Sequence, residues 1–445
     1  MSVIKLPHGA SKIIDVLSNC GFESYVVGGC VRDSLLGLTP KDWDICTAAT
    51  PQEVKSCFYG YRIIETGLKH GTITIVMDDG QYEITTFRID GVYSDNRRPD
   101  TVSFVKNIRD DLSRRDFTIN AMAYNHTTGV VDLFGGQKDL ASGVISCVGN
   151  AEDRFNEDAL RIMRAIRFAS VYNFKIDNET SNAIHKNARL LENIAIERIN
   201  TELCKFLCGK GVLNLLLEYS DVVTTIIPEL KPCVGFEQNN RYHQYTVYDH
   251  ISHAVSNYNG TDISVKIALL LHDIGKPVCY TVDENGGHFY GHGVPSSDIA
   301  KSVVERLRFD NHTQQDVTEL VLFHDAIIEP TTKTVRRWLN KVGEVQLLRL
   351  LDIRMADILA HAEGTQQSRI DRCNDVRKLA TEIITQAQCF SLKDLAINGR
   401  DLIMVGIPEG KEVGAILRKV LSLVIDGELP NERDEIMKYV RSVIC

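Results

Sequence analysis

No stretch of this chain approaches the roughly eighteen consecutive apolar residues that a membrane-spanning helix requires, although 44% of its 445 residues are hydrophobic. The first residues, MSVIKLPHGASKIIDVL, carry charges inside their apolar run and lack a small-residue cleavage site, so no secretory leader is expected. Cysteine pairs are missing too. Twelve cysteines are scattered without a single C-x-x-C, and Cys204 and Cys208 lie one helical turn apart. That pattern points to reduced thiols and a cytoplasmic location, and away from a disulfide framework. Positive charge is in deficit, with 50 Lys+Arg against 59 Asp+Glu and a formal net charge of −9. A non-specific nucleic-acid coat is thereby disfavoured. An RNA enzyme with its basic groups gathered on one face is not. The length allows about two to four domains with real cores.

The richest stretch runs from Tyr25 to Thr47, YVVGGCVRDSLLGLTPKDWDICT. It reads as a short apolar strand, a Gly28-Gly29 turn, a helix opening near Cys30 and broken by Gly37 and Pro40, and a second strand from about Trp43. Asp42 and Asp44 are two apart on that strand, which places their carboxylates on one face. Such a pair repels itself unless a divalent cation intervenes. Mg²⁺ suits it, because that ion takes few carboxylates and fills its other positions with water and phosphates. The double glycine lets backbone approach a phosphate, a helix start offers unpaired N–H groups, and Arg32 adds a planar cationic fork. Alone, D-x-D is mostly solvated surface and Gly-Gly mostly a turn. Together with Arg32-Asp33 and Gly37 within twenty residues, they resemble the nucleotidyltransferase superfamily of DNA polymerase β, and within it the class II tRNA nucleotidyltransferases.

That resemblance implies an α+β nucleotidyltransferase head (1–145), a helical neck (146–215), an HD-type helical body (216–370) and a helical tail (371–445). It also implies tRNA, ATP and CTP as partners. Around the central stretch, 8–20 reads as an amphipathic helix and Thr50-Pro51 as a helix start. Residues 65–77 and 81–89 read as a hairpin turning at Asp78-Asp79-Gly80. Glu83 on its second strand is by pattern either a surface residue or the third member of a carboxylate triad, and the family implies the triad. Gly67, His70, Gly71 and Thr72 resemble the T-G-x-x-H-G-T segment of the CCA-adding branch. Residues 88–106, with Arg97-Arg98-Pro99, are similar to the flexible element of CCA- and A-adding enzymes. The string Arg114-Arg115-Asp116-Phe-Thr-Ile-Asn-Ala-Met-Ala matches the family's second motif. It implies that Arg115 meets nucleotide phosphate or ribose and that Asp116 fixes the local geometry. Asp132-Leu-Phe-Gly-Gly136 closes the head.

In the neck, Glu157, Arg161 and Arg164 share one face of an expected continuous helix, with Asp158 beside them and Arg167 at the margin. Charge spacing alone describes a salt-bridged surface helix. The string E-D-x-L-R-x-x-R-A-x-R-F resembles the family's nucleotide-selecting motif. Its chemistry is direct. Cytosine and adenine both set an amino donor beside a ring-nitrogen acceptor. A carboxylate only accepts and a guanidinium only donates, so Asp158 with Arg161 complements both bases. Guanine and uracil would leave buried groups unpaired. Arg164 and Arg167 would face the triphosphate or hold the pair. Glu197-Arg198-Ile199 reads as structural.

Histidines crowd residues 243–361. Around Ala268-Leu-Leu-Leu-His272-Asp273-Ile-Gly-Lys276, which resembles the HD phosphohydrolase signature, an ordered set emerges: His250, His272, Asp273, His292, His324 and Asp357. It would hold Ni²⁺, Co²⁺ or Mn²⁺ on imidazole. In the tail, Gly399–Gly414 is either a phosphate-binding turn or a plain helix connection, and the family implies tRNA contacts there. The expected reaction is attack of a tRNA 3′-hydroxyl on the α-phosphate of CTP or ATP, with two Mg²⁺ at Asp42 and Asp44. The alternatives are A-addition alone, an HD phosphohydrolase with a degenerate head, or a non-catalytic RNA-binding module.

Overall fold

A computed structural model describes residues 4–65, 67–68, 71–91, 101–284 and 286–444. His70 and the Arg97-Arg98-Pro99 segment of the expected flexible element lie outside the described residues. The chain divides into two compact units, Met1–Pro228 and Glu229–Cys445.

The first unit begins with helix α1 (His8–Asn19), which buries Ile13, Ile14 and Leu17. Pro7 precedes it and supplies no side-chain cap. The Asp79 carboxylate does that work instead, accepting the Gly9 N–H at 2.8 Å. Strands follow as β1 (Ser24–Val27), β2 (Ile45–Thr47), β3 (Arg62–Ile64), β4 (Thr72–Met77), β5 (Gly80–Thr86), β6 (Arg88–Asp90), β7 (Val102–Phe104), β8 (Met122–Asn125) and β9 (Gly129–Asp132). Seven of them form one mixed sheet in the order β3-β4-β5-β2-β1-β8-β9. Strands β1 and β8 are buried along their length. The expected hairpin is β4–β5, with Met77 opposite Gly80. Alternation on β5 buries Tyr82 and Ile84 and turns Glu83 outward, as a strand half-covered by core must do. Helices α2 (Gly29–Leu35), α3 (Pro51–Cys57), α4 (Ile108–Ser113) and α5 (Gly136–Ser142) connect the strands. Helix α3 starts with the expected Thr50-Pro51, reinforced by a Thr50/Glu53 capping box. One layer beside the sheet packs Tyr25, Val27, Cys46, Phe87, Leu112 and Ala123.

The chain then becomes helical: α6 (Ala151–Glu157), α7 (Leu160–Tyr172), α8 (Asn178–Asn187), α9 (Ile196–Leu207), α10 (Val212–Glu218) and α11 (Ser220–Ile226). Helices α7 and α9 lie together, joined by the buried Ser170 hydroxyl donating to the Phe206 carbonyl at 2.8 Å. A β-carbon at Gly209 would stand 2.1 Å from the Ser170 hydroxyl, so this approach needs glycine.

The second unit is built from α12 (Val247–Asn257), α13 (Ile263–Leu271), α14 (Lys276–Cys279), α15 (Gly293–Arg306), α16 (Asn311–Phe323), α17 (Thr332–Val342), α18 (Glu344–Leu359) and α19 (Gln367–Thr385). Residues Ser264 to Leu271 of α13 are all buried, so this helix is the central element of its bundle. It delivers His272-Asp273 at its C-terminal end, in the interior. Three further helices, Gly399–Met404, Lys411–Ile425 and Arg433–Ile444, close over a core of Leu402, Ile407, Val420, Val424, Ile436 and Val440. Gly410, at φ +136°, starts the second of them. Among the described residues no helix is long and apolar enough to cross a membrane.

Candidate functional site

Strand β1 ends in a turn that only glycine fits. Gly28 sits at φ +79°, and a β-carbon there would come within 3.1 Å of Arg115 Nη1. Its N–H donates to the Met122 carbonyl at 3.0 Å, and Gly29 opens α2. Arg32 is buried. It donates from Nη1 to Asn120 Oδ1 at 2.5 Å and from Nε and Nη2 to Asp33 Oδ1 at 2.9 and 2.7 Å. Its guanidinium also lies 5.0 Å from the ring centres of both Phe168 and Tyr172. The Tyr172 hydroxyl donates to Asp33 at 3.0 Å. Neck helix and head turn are thereby tied through one arginine.

Asp42 and Asp44 do not lie on a strand as expected. They immediately precede β2, which begins at Ile45, and the Asp44 carbonyl accepts the Val27 N–H of β1 at 3.0 Å, so Asp44 is tied to the edge of the sheet. The parallel β2–β5 pair sets Ile45 opposite Ile84. Each is preceded by an acid, Asp44 and Glu83, so these occupy matching positions on the face away from the core. The Asp44 carboxyl is pushed upward by burial and by the charge of Asp42, with Glu83 adding and Arg115 opposing. That is the electrostatic signature of an acidic cluster a cation would relieve.

Asp111, fully buried, accepts from Arg114 at 2.7 Å and Arg115 at 3.1 Å. Burial alone would raise its pKa, yet Arg115 and Arg114 hold it below the usual carboxylate range. The Arg115 Nε is buried without a partner. Asp116 is committed on both oxygens, accepting from the Phe117 N–H and Asn120 on one, and from Arg164 Nε (2.8 Å) and Nη2 (2.5 Å) on the other.

The expected continuous neck helix is broken. Helix α6 stops at Glu157, Asp158 is extended at φ −139° and ψ 101°, and α7 restarts at Leu160. Asp158 therefore leaves the helical face. Its Oδ1 accepts the Leu160 N–H at 3.1 Å and its Oδ2 accepts Arg198 at 2.9 Å. Arg161 is held by Glu157 at 2.6 Å and by the Arg154 and Arg114 carbonyls at 3.2 and 3.0 Å. Three of its five N–H donors are thus spoken for. Arg164 goes to Asp116, and Arg167 goes to Glu202 at 2.6 Å while its guanidinium lies 3.6 Å from the centre of the Phe168 ring. Spacing along the sequence assigns no partner to Arg198, read there as structural, nor to Asn120, Glu202 or Phe168. A partner on a distant helix, as Arg198 is for Asp158, leaves no trace in local spacing.

In the second unit all six expected ligands are buried and converge. His250 Nε2 lies 2.9 Å from Asp357 Oδ1 and 3.4 Å from Asp273 Oδ2. His272 Nε2 is 3.2 Å from Asp273 Oδ2. On the other oxygen of Asp273 stand His292 at 3.1 Å and His324 at 3.6 Å, their Nε2 atoms 3.0 Å apart. Asp273 thus joins two donor groups. His361, which sequence reading counted but left unassigned, completes a third with His250 and Asp357. Lys276 Nζ, 2.7 Å from Asp273 Oδ2, was likewise missed. Burial works against charge on His272, but Asp273 outweighs it and pushes the imidazole up to about 10. Asp273 and Asp357 are held well below their usual range; burial opposes this, and His272 with Lys276 on Asp273, and His361 with His250 on Asp357, overcome it. His272 Nε2 and Asp273 Oδ2 are buried and, though close to each other and to Lys276, make no aligned hydrogen bond. Buried imidazole nitrogens and carboxylate oxygens converging in this way fit a divalent transition ion. His253, His288 and His312 lie apart, beside Tyr245, Asp283 and Asp316.

Residues 24–146 match the poly A polymerase head domain, 173–233 the "Probable RNA and SrmB- binding site of polymerase A", and 294–440 the domain-2 family of tRNA nucleotidyltransferases. The CCA-adding enzyme of Ligilactobacillus salivarius is 34% identical over 441 residues, covering 98% of this chain and 96% of the relative. That of Lactobacillus helveticus is 34% identical across the whole of both chains. Among solved structures, the Bacillus stearothermophilus CCA-adding enzyme in complex with CTP superposes with a TM-score of 0.73 at 28% identity, covering 98% of this chain and 96% of that one. A Thermotoga maritima CCA-adding enzyme complexed with tRNA shares the fold, with a TM-score of 0.62 at 22% identity. With relatives at this identity matched over almost the whole of both chains, the protein belongs to the family of CCA-adding enzymes.

Proposed function

We propose that this chain adds the 3′-terminal C and A nucleotides to tRNA from CTP and ATP, without a nucleic-acid template and with release of pyrophosphate. The observation that carries the reading is the held pair at the α6–α7 break. Asp158 is fixed by Arg198 and Arg161 by Glu157 and two carbonyls, so an acceptor and a donor stand ready before any base arrives. Preorganised groups discriminate by leaving the wrong edge unpaired. Asp116 links to α7 by holding Arg164, and Arg115, whose Nε is buried without a hydrogen-bond partner, would meet phosphate or ribose beside the Gly28-Gly29 turn. Nucleotidyltransferases of this type work with divalent ions, and Asp42 and Asp44, with Glu83 alongside, would hold Mg²⁺. Such ions favour the hydroxylate nucleophile and neutralise the departing pyrophosphate. The reading divides the chain into head 1–145, neck 146–215, body 216–370 and tRNA-binding tail 371–445, at work in the cytoplasm. The deciding experiment supplies tRNA transcripts ending before CCA, after C and after CC with each nucleotide in turn. Addition of C, C and A to the first transcript supports the reading. Addition of A alone, and only to the third, replaces it with A-addition.

A second reading stands on its own observation. The buried set His250, His272, Asp273, His292, His324 and Asp357, with Asp273 shared between two donor groups, is suited to a transition-metal phosphohydrolase. Hydrolysis of a simple phosphate ester with Ni²⁺, Co²⁺ or Mn²⁺, lost in His272→Ala, is the expected result. No hydrolysis with any of the three would make the histidines structural.

A further inference from the structure

Helix α7 meets the head along one face. Arg161, Arg164, Phe168 and Tyr172 fall three or four residues apart and so share that face. Arg161 reaches the Arg114 carbonyl, Arg164 the Asp116 carboxylate, and Phe168 the Phe117 ring, edge to face at 5.9 Å. At the last turn the Tyr172 hydroxyl reaches Asp33 on α2, just after the Gly28-Gly29 turn. Between the two carboxylates the contacts close on each other. Asp116 Oδ1 accepts Asn120 Nδ2 at 3.0 Å, Asn120 Oδ1 accepts Arg32 Nη1 at 2.5 Å, and Arg32 Nη2 donates to the Asp33 Oδ1 that also takes Tyr172. A guanidinium only donates and a carboxylate only accepts, so one orientation of the Asn120 amide serves both. The side chains thus form a ring that leaves α7 at Arg164 and returns to it at Tyr172. Arg32, 7% exposed, sits in that ring against Phe168 and Tyr172. Burial pushes the Tyr172 hydroxyl up to about 12, with Arg32 opposing and Asp33 adding, so it stays a donor.

We infer that Tyr172 is a positioning residue for nucleotide addition: by closing this ring it fixes the tilt of α7, and with it the place of the base-reading Asp158 and Arg161 relative to the turn and carboxylates that face the triphosphate. This role presupposes the nucleotide addition proposed for the chain. The geometry is that of a rod held at two points. Arg164 and Tyr172 are eight residues apart, about 12 Å along the axis, and Arg161 lies about 4.5 Å beyond Arg164. Were Arg164 the sole anchor, a tilt of about 10° would carry Arg161 by about 0.8 Å. That exceeds the roughly 0.5 Å within which reading groups must be held. With the far end pinned, about 1 Å of slack at Tyr172 becomes about 0.4 Å at Arg161. Apolar packing would hold the helix here at lower cost than a buried guanidinium. It lacks direction, whereas hydrogen bonds set an angle as well as a distance. Phe168 supplies the packing, and the ring supplies the angle.

Tyr172→Phe tests this in the full-length protein, since it removes the hydroxyl and keeps the ring against Arg32. kcat/KM for single additions to a tRNA transcript ending before CCA is measured with CTP and UTP separately. Melting curves are recorded, and inorganic tripolyphosphate, which has no base, is titrated by calorimetry. The CTP-to-UTP preference should fall by about three- to tenfold, the worth of one hydrogen bond, while tripolyphosphate affinity stays within about twofold. A merely structural tyrosine would lower the melting temperature and leave the ratio alone, so an unchanged ratio overturns the inference. Equal weakening of tripolyphosphate and CTP overturns it too, because the hydroxyl would then serve the phosphate end. Asn120→Ala opens the same ring at a different link. Links in one ring act in series, so Asn120→Ala with Tyr172→Phe should lose no more preference than Asn120→Ala alone. Losses that multiply would mean two independent contacts and no ring. Should Asn120→Ala not fold, Tyr172→Phe alone still decides. Wild-type protein that adds neither nucleotide to the transcript removes the nucleotide-addition reading and the inference with it. Wild type that prefers CTP, with Tyr172→Phe keeping that preference, removes the role of Tyr172 and leaves the reading standing.

Discussion

Arg198 offers the sharpest test of the base-reading pair. It sits on α9, forty residues from Asp158, and its Nη2 donates to Asp158 Oδ2 at 2.9 Å. Asp158 has no helical backbone to hold it, since the chain is extended there between α6 and α7. Apart from the Leu160 N–H, Arg198 is the restraint on that carboxylate. A hydrogen bond to a charged group is worth about 1.5–3 kcal/mol. This pair is partly open to water, 29% for Arg198 and 17% for Asp158, so about 1–2 kcal/mol is the appropriate range. If that energy serves to hold the acceptor where cytosine needs it, Arg198→Ala should lower the preference for CTP over UTP by about 5- to 30-fold. Arg198→Lys, which keeps charge but not the planar fork, should fall between. The measurement is kcat/KM for single additions to a transcript ending before CCA, with each triphosphate separately. A purely structural arginine would slow both substrates equally. Should Arg198→Ala keep the wild-type CTP-to-UTP ratio while Asp158→Ala changes it, the restraint argument is wrong.

Four other outcomes are expected. Asp42→Ala or Asp44→Ala should abolish nucleotide incorporation while tRNA affinity, by filter binding, stays within about fivefold, because cations there act on the transition state; activity above a few per cent would count against the assignment. Asp116→Ala strands the Arg164 guanidinium and should cost about 3 kcal/mol in urea unfolding of the first unit, the low end for a broken buried pair since Arg164 is 32% exposed. Burial works to raise the Asp116 pKa, but Arg164 and Asn120 hold it below the carboxylate range. Its contribution is therefore present above the unfolded value of about 3.9 and lost as pH falls through the lower folded value. Asp116→Asn should accordingly flatten the acid limb of the stability curve, and an unaltered limb would refute the linkage. His272→Ala with Asp273→Ala should remove transition-metal-dependent ester hydrolysis and leave Mg²⁺-dependent nucleotide addition intact, read with melting curves. Loss of both activities in a folded protein would show the two sites to be coupled.

Local order was legible in the sequence where local physics sets it. The Gly28 turn, the Thr50-Pro51 helix start, the Asp78-Asp79-Gly80 hairpin and the outward Glu83 follow from backbone sterics, capping and strand alternation. So does the buried His272-Asp273, carried by a helix too apolar to face water. Tertiary structure decided what depends on partners far along the chain. Periodicity carried α6 straight through Asp158, whereas the chain breaks there and Asp158 is met by Arg198 from another helix. Asp42 and Asp44 fall before β2, and it is the parallel β2–β5 register that brings Glu83 level with Asp44. Arg32, Arg164 and Arg167 look on paper like phosphate ligands, yet folding gives each a carboxylate or amide, because a guanidinium removed from water must be paired. Which donor meets which acceptor is a property of packing, and spacing along a sequence does not contain it.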